Sequence, residues 1–382
     1  MSEAGPRLRF AVDSHHSVFS KPQQRGSRDD LRAAVDGLVT FARTADRAGV
    51  DSFWLTEDPD GWDALAVLGA IARETERIRL GTGVVNPYYR HPSLIAASMS
   101  TLDALSDGRA FLGLGRGQPE WYERGLGMEV GSPLAALEES FQLLRQWFER
   151  GSDPNGSASG AWMAVAAPDA AQFKVTRWER ATGPVQPHLP IYLAAVGPKA
   201  LSIAARYADG VVFNELTSAT FMERTIRDVR SEAADAGRDP DAISFFARSG
   251  VTITDDPQRV WEQRKVTVAI IHTLPGMGRL LETPGFDTEA IIARAREVMR
   301  TDEVLERGGN FADLRRAGDF AAARAVIPTE LMRELVVAGP IEEVRERLAQ
   351  LRRIGVTDVF LSRPKPDALD SLGDIVAALS DA

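Results

Sequence analysis

Residues 50–117 contain two successive alternations of strand, loop and helix, and this pattern limits the fold more than any other feature. Residues 50–56 (VDSFWLT) are a short apolar run of β-forming residues, followed by helical spacing of apolar residues over 62–75. A second strand is predicted at 78–85, then a helix that begins at Pro92 and a third strand from Arg109. Strands that alternate with helices pair in parallel through right-handed crossovers. The pattern therefore predicts an α/β fold.

The whole chain contains eight predicted strands, with amphipathic helical segments between almost all of them. A count of eight favours a closed (βα)8 barrel, known as a TIM barrel, over an open doubly wound sheet. In such a barrel the active site lies at the carboxyl ends of the strands. The predicted strands are 7–12, 51–56, 78–85, 110–113, 190–196, 210–213, 243–254 and 357–362.

Two segments do not fit a minimal barrel, although we expect residues 1–382 to form one domain. Residues 151–182 are rich in glycine, serine and alanine and are predicted to be an excursion before the fifth strand. Residues 257–329 are predicted to be a helical insertion after the seventh strand. Long insertions of this kind usually lie over the mouth of a barrel, so we expect this one to help form a lid or a substrate pocket.

Composition excludes several classes of function. The net charge of −9 argues against nucleic acid as a partner, because phosphate binding needs a clustered basic surface. The chain has no cysteine, which excludes disulfides and thiolate chemistry and fits a cytoplasmic location. No apolar segment reaches membrane-spanning length, so we expect no membrane partner. The histidines lack partners at metal-ligand spacing, and we expect no metal site.

Several residues near predicted strand ends are candidates for binding or catalysis. Gly81 and Gly83 lie inside an apolar run, where glycine indicates a bulge or a close approach of backbone to ligand. The sequence AVGPK (195–199) ends a strand and begins a helix, which offers backbone N–H groups to a phosphate; an ordinary βα turn is the alternative. His15 follows the first strand, where an imidazole could shuttle a proton, although exposed loop histidines are usually idle.

Three motifs that occur in order resemble the luciferase-like superfamily of flavin and deazaflavin oxidoreductases. The nearest branch is similar to methylenetetrahydromethanopterin reductase, which uses the deazaflavin coenzyme F-420. The resemblance implies a TIM barrel of the bacterial-luciferase type, a homodimer, and a cofactor ring at the carboxyl-end mouth. The motifs are IRLGTGVVNPYYRHP from residue 78, TLDALSDGRAFLGLGRG from 101 and PIYLAAVGPKALSIAARYADGVVF from 190.

The resemblance also implies roles for individual residues. A non-prolyl cis peptide at Gly83-Val84 would support one face of the cofactor ring, and the cofactor phosphate would rest at the turn that contains Gly197. Glu57 and Asp58 lie where the family has an acid followed by histidine, and with His15 they are the catalytic candidates. The cofactor-binding candidates are Gly83, Val84, Asn86, Gly115, Gly117, Gln118, Ala195, Val196, Gly197, Pro198 and Lys199.

The leading functional hypothesis is a deazaflavin-dependent oxidoreductase that moves hydride between coenzyme F-420 and a small organic substrate. The missing histidine at position 58 argues against luciferase-type oxygen chemistry, and Gln118, in place of a glutamate, argues against sugar-phosphate oxidation. One alternative is an FMN-dependent monooxygenase that works with a separate flavin reductase. A non-catalytic flavin-binding barrel is the other alternative.

Overall fold

The computed structural model describes residues 7–14, 28–57, 59, 61–149 and 162–380 of the chain. These residues contain eleven strands, eight of which pair in parallel to form a barrel. The strands are β1 (Arg9–Ser14), β2 (Ser52–Leu55), β3 (Arg79–Thr82), β4 (Ala110–Gly115), β5 (Trp162–Ala164), β6 (Trp178–Arg180), β7 (Ile191–Ala194), β8 (Gly210–Glu215), β9 (Ser244–Ile253), β10 (Ala338–Gly339) and β11 (Asp358–Leu361).

The order of strands around the barrel is β1, β2, β3, β4, β7, β8, β9 and β11. Strand β11 pairs in parallel with β1, so the sheet is closed. All eight predicted strands overlap an observed barrel strand, and the predicted TIM barrel is confirmed.

Helices connect successive barrel strands, as the alternating pattern predicted. Helix α3 begins where the sequence indicated, with Pro92 in its first turn and His91 Nδ1 accepting a hydrogen bond from the backbone N–H of Ser93. The helices are α1 (Arg28–Arg47), α2 (Ala64–Arg73), α3 (Pro92–Leu105), α4 (Pro133–Phe148), α5 (Pro198–Tyr207), α6 (Ala219–Asp235), α7 (Pro257–Thr267), α8 (Thr288–Val298), α9 (Thr301–Glu306), α10 (Phe311–Ala317), α11 (Phe320–Val326), α12 (Thr329–Leu335), α13 (Ile341–Arg353) and α14 (Leu372–Leu379).

Aromatic side chains fill the interior of the barrel below its mouth. The Trp54 ring lies at the centre, with ring centroids 4.4 Å from Phe111, 5.6 Å from Tyr192, 5.0 Å from Phe246 and 5.6 Å from Phe360. All five side chains are buried. The interior is therefore a packed core, and the aromatic layer forms the floor of the mouth.

Two glycines are required by this packing. A Cβ atom on Gly81 would lie 2.3 Å from the Phe111 ring, so Gly81 makes room for a core side chain. The expectation that Gly81 marks a bulge or a ligand contact is therefore wrong at this residue. A Cβ atom on Gly113 would lie 2.0 Å from the backbone carbonyl oxygen of Thr82, on the neighbouring strand. Neither position accepts a side chain without movement of the barrel.

Replacement of Gly113 tests how tightly β3 and β4 are packed. We expect Gly113→Ala to lower the free energy of unfolding by about 3 kcal/mol, because the added methyl group can be accommodated only if the β3 backbone moves. Urea denaturation of the variant measures this change. Gly373→Ala in α14 is the control, since its added Cβ meets no atom within 4 Å. Equal denaturation midpoints for the two variants would contradict the expectation.

The predicted excursion contains an antiparallel hairpin of β5 and β6. Residues 151–161, which begin that segment, lie outside the described residues. Helices α7 to α11 lie within residues 257–329, and helix α12 begins at Thr329 and ends at Leu335. Strand β10 follows and pairs with β9. No helix in the described part of the chain combines the length and the apolar character needed to cross a bilayer.

The insertion contacts the loop that follows β4. The Phe311 ring in α10 lies edge-on to Trp121, with centroids 4.4 Å apart. Arg124 Nη1 donates a hydrogen bond to the backbone carbonyl oxygen of Leu305 in α9 (3.0 Å). The insertion that follows the seventh barrel strand therefore reaches the connection after the fourth.

Candidate active site

Three segments that the sequence predicted to bind a cofactor follow three neighbouring strands. They are 83–86 after β3, 115–118 at the end of β4, and 195–199 after β7, and these strands lie side by side. Gly115 N–H donates to the carbonyl oxygen of Val85 (2.9 Å), and Gly115 pairs with Ala194 on β7. Barrel closure therefore brings the three segments into one sector of the mouth, which we call the glycine sector.

Strand β3 ends at Thr82 because its pairing with β4 changes there. Gly81 pairs with Phe111 and Val85 bridges to Leu114, which leaves one extra residue on the β3 side. The Gly83-Val84 peptide bond within this bulge is cis, as the resemblance implied. Both residues are half-buried. The predicted bulge is present, and its position as a cofactor support remains a prediction.

Val84 covers the glycine of the next strand. A Cβ atom on Gly115 would lie 2.6 Å from Val84 Cγ2, so the two residues form one continuous apolar surface. Gly117 has a φ of +58°, which favours glycine, and the Tyr122 ring packs against it. Gly115 and Gly117 therefore admit the neighbouring side chains Val84 and Tyr122 at the edge of the sector.

Asn86 is buried and both of its polar side-chain groups have partners within the protein. Its Nδ2 donates to the Tyr122 hydroxyl (2.7 Å), and its Oδ1 accepts from the backbone N–H of Tyr89 (2.8 Å). These bonds join the loop after β3 to the loop after β4. We expect Asn86 to position these loops, and direct contact with a cofactor remains a prediction from the sequence.

Two buried polar atoms, one in the glycine sector and one in the loop that continues from residue 86, have no hydrogen-bond partner among the described residues. They are the side-chain carbonyl oxygen of Gln118 and the hydroxyl of Tyr88. Burial, and secondarily the neighbouring Tyr122, raises the pKa of Tyr88 well above its ordinary value, so the hydroxyl keeps its proton. Buried polar atoms without partners are costly, and a polar ligand would satisfy both.

The turn after β7 forms the third part of the glycine sector. Gly197 is the N-cap of α5, with Pro198 in the first turn, and a Cβ atom on Gly197 would meet no heavy atom within 4 Å. Ala195 is buried, Val196 is half-buried, and Lys199 is exposed. The open space beside Gly197 leaves the first N–H groups of a ten-residue helix accessible.

Glu57, a catalytic candidate, lies in a buried ion pair. Its Oε1 accepts from Arg90 Nε at 2.6 Å, and the two side chains are only 3% and 11% exposed. Arg90 also pairs with Asp63 (2.6 Å). The arrangement ties the loop after β2 to the loop after β3, and a catalytic role for Glu57 remains a prediction. The other two catalytic candidates, Asp58 and His15, lie outside the described residues.

A cavity of about 300 Å³ opens at the mouth on the side away from the glycine sector. Five charged side chains line it, from strands β1, β8 and β9, from the segment after β11 and from helix α7. We call these residues the charged cluster. Sequence reasoning missed them, although a charged residue directly after a predicted strand was a usable signal at two of the positions, 13 and 363. The cluster comprises Asp13, Glu215, Arg248, Arg264 and Arg363.

Ion pairs organise most of the charged cluster. Arg248 pairs with Asp13 and lies 4.0 Å from Glu215, while Arg264 Nη2 donates to Glu215 Oε2 at 2.8 Å. Burial, and then the charge of Arg264, lowers the pKa of Arg248 to about 10, so its guanidinium is still charged at neutral pH. Arg363 Nη1 donates to the Ser14 hydroxyl (3.1 Å).

His272, which belongs to the insertion, contacts Glu215, the last residue of β8. It is fully buried, and its Nε2 lies 2.8 Å from the carbonyl oxygen of Glu215, against 3.3 Å between Nδ1 and the carbonyl oxygen of Met277. The shorter contact assigns the proton to Nε2. Burial lowers the pKa of His272 to about 4. The imidazole is therefore neutral in the folded protein at neutral pH.

The low pKa of His272 makes stability depend on pH. Between about pH 4 and 6.5 the unfolded chain binds a proton that the folded chain does not, so stability rises with pH across this window. The contribution is complete above 6.5, and about 3 kcal/mol is lost as pH falls toward 4. We expect His272→Gln to flatten this part of the wild-type profile of unfolding free energy. Parallel profiles for the two proteins would exclude this origin.

No group of three or more histidine, aspartate or glutamate side chains within the described ranges is arranged to hold a metal ion. Asp209, for example, is engaged by Arg145 and His188 at the opposite end of the strands. The glycine sector and the charged cluster, on two sides of one mouth, together form the candidate site.

Comparison with known proteins identifies the family of the chain. Residues 14–358 match the family model described as luciferase-like monooxygenase. The 5,10-methylenetetrahydromethanopterin reductase of Methanolobus tindarius is 29% identical over 329 residues, which cover 86% of this chain and 90% of the reductase. An F-420-dependent glucose-6-phosphate dehydrogenase of Segniliparus rotundus is 27% identical over 299 residues, or 72% of this chain and 84% of the dehydrogenase.

Solved structures extend the likeness in fold. The coenzyme F-420-dependent tetrahydromethanopterin reductase from Methanopyrus kandleri superposes with a TM-score of 0.68 at 22% identity, over 96% of this chain and 98% of that chain. The family model covers far more than half of the sequence, and the closed barrel is the fold of that reductase. The chain belongs to the luciferase-like monooxygenase family.

Proposed function

We propose that the chain is an oxidoreductase that uses the deazaflavin coenzyme F-420 to transfer hydride to or from a small organic substrate. The observation that carries the proposal is the convergence of residues 83–86, 115–118 and 195–199 on one sector of the mouth. The relatives support it, since the two curated proteins above are named as a reductase of methylenetetrahydromethanopterin and as an F-420-dependent dehydrogenase.

The residues of the glycine sector fit such a cofactor. The apolar surface of Val84 and Gly115 would support the ring, and the buried oxygens of Gln118 and Tyr88 would meet its polar edge. The open N-terminus of α5 at Gly197 would hold its phosphate. A group with one flat ring, polar ring atoms and a phosphate matches all three features.

When bound, a deazaflavin supplies hydride transfer in two-electron steps. The chain's own contribution is to fix geometry and exclude water. Thr56 Oγ1 donates to the carbonyl oxygen of Gly83 (3.1 Å), which holds the bulge in place from β2. The buried Glu57 and Arg90 pair fixes the next loop from the same side. The aromatic layer around Trp54 closes the floor of the mouth to solvent.

A binding titration tests the proposal directly. The full-length protein is titrated with oxidised coenzyme F-420 and, separately, with FMN, while cofactor fluorescence and absorbance are recorded. We expect saturable binding of coenzyme F-420 that is at least about tenfold tighter than binding of FMN. The reverse preference would replace the proposal with the FMN-dependent monooxygenase. Failure of both cofactors to bind would favour a barrel without this activity.

A further inference from the structure

The charged cluster carries more positive than negative charge, although the chain as a whole is acidic. Its three guanidinium groups face two carboxylates, which leaves one net positive charge in the cavity. The whole chain, by contrast, carries a net charge of −9. A local excess of cation at the mouth of an acidic protein favours an anionic ligand at that point.

The excess charge resides on Arg363. Arg248 and Arg264 each have a carboxylate within 4.0 Å. In the described part of the chain, no carboxylate lies within that distance of Arg363, whose contact on the cavity side is the Ser14 hydroxyl. Arg363 directly follows Ser362, just after β11, and its side chain is exposed at the mouth. Its remaining N–H groups are therefore available to a ligand.

Arg264 supplies a second donor. Its Nε is buried and has no hydrogen-bond partner among the described residues. The guanidinium lies beside Gly250, where an added Cβ would be 3.5 Å from Nε. The orphaned N–H points to a missing acceptor, since buried donors are normally satisfied. Arg264 reaches the cavity from α7, so the insertion provides it.

We propose that the charged cluster binds a carboxylate group of the substrate, with Arg363 and Arg264 as the specificity-determining residues. This inference rests on the proposed function. A single net positive charge suits a carboxylate, which carries one negative charge, better than a phosphate monoester, which carries close to two. Guanidinium groups bind carboxylates through charge-assisted hydrogen bonds. The cavity lies away from the glycine sector, so substrate and cofactor approach each other from two sides of one mouth.

The test uses benzoate as the probe and benzamide as its neutral analogue, with calorimetric titration of the full-length protein. We expect saturable binding of benzoate and at least about tenfold weaker binding of benzamide. Arg363→Gln should weaken benzoate binding about tenfold or more, and Arg264→Gln should have a similar effect. Arg224→Gln, which removes a surface guanidinium paired with Glu282, is the matched control and should bind benzoate as the wild type does.

Arg363 is the more secure test position, because it has no ion-pair partner among the described residues and its replacement leaves no carboxylate without a cation. The variant loses only the contact of the guanidinium with the Phe41 ring (4.5 Å to the centroid) and the hydrogen bond to Ser14. Equal binding of benzoate and benzamide to the wild type would overturn the proposal. So would absence of benzoate binding, or wild-type affinity for benzoate in both Arg363→Gln and Arg264→Gln.

A second titration separates the two possible sources of the carboxylate. Coenzyme F-420 carries glutamyl carboxylates in its tail, whereas the riboflavin-level deazaflavin lacks both the tail and the phosphate. If the substrate supplies the carboxylate, Arg363→Gln should bind both deazaflavins as tightly as the wild type does. Weakened binding of coenzyme F-420 alone would assign the cluster to the cofactor tail and overturn the substrate assignment. Benzoate binding without any deazaflavin binding would refute the proposed cofactor and leave the anion site standing.

Discussion

Gly197→Ala is expected to weaken binding of coenzyme F-420 at least about tenfold while leaving the fold intact. The φ and ψ of Gly197 are −82° and 153°, which alanine adopts readily. Its added methyl group would meet no protein atom within 4 Å, so the cost in stability should be about 0.5 kcal/mol or less. The methyl group would, however, occupy the space through which a phosphate approaches the N-terminus of α5.

Two comparisons make this result specific to the phosphate. The riboflavin-level deazaflavin, which has no phosphate, should bind Gly197→Ala and the wild type equally well. Gly373→Ala, another position with open space around the added Cβ, should leave coenzyme F-420 binding unchanged. Fluorescence titration measures all five affinities. If Gly197→Ala bound coenzyme F-420 as tightly as the wild type does, the phosphate would have to lie elsewhere.

The second large effect is expected from the buried ion pair between Glu57 and Arg90. Arg90→Met should lower the free energy of unfolding by about 3–5 kcal/mol, because it leaves the Glu57 carboxylate buried without its cation. The double variant Glu57→Gln with Arg90→Met should recover a large part of this loss, since no buried charge remains. Urea denaturation of the single and double variants measures both values.

An exposed ion pair serves as the control for the effect of Arg90→Met on stability. Arg227 and Asp228 form a surface ion pair with 70% and 60% exposed side chains, and Arg227→Gln should change stability by less than about 1 kcal/mol. A similarly small effect of Arg90→Met would mean that Glu57 does not need its cation.

The sequence predicted the barrel because each of its strands carries a short apolar run between helical segments. That signal is local, so it predicted each strand even where the observed ends differ from the predicted ones, as at β3. It could not assign Gly81, because the reason for that glycine is the Phe111 ring on the neighbouring strand.

The two sides of the mouth differed in how far they could be predicted. The glycine sector is encoded in three short motifs, each contiguous in sequence, and the resemblance gave them roles. The charged cluster is assembled from positions 13, 215, 248, 264 and 363, which only the closure of the barrel brings together. The pairing of Glu57 with Arg90 is likewise a contact between two successive loops, and the local sequence around either residue does not predict it.

The contact between the insertion and the loop after β4 has a consequence for the engineering of this scaffold. Trp121 and Arg124 belong to one connection, and their partners Phe311 and Leu305 belong to another, almost 200 residues later. Grafting the insertion of a relative onto this barrel would separate these partners. A functional chimaera should therefore exchange both segments together, because the contacts between them are kept only when both segments come from the same protein.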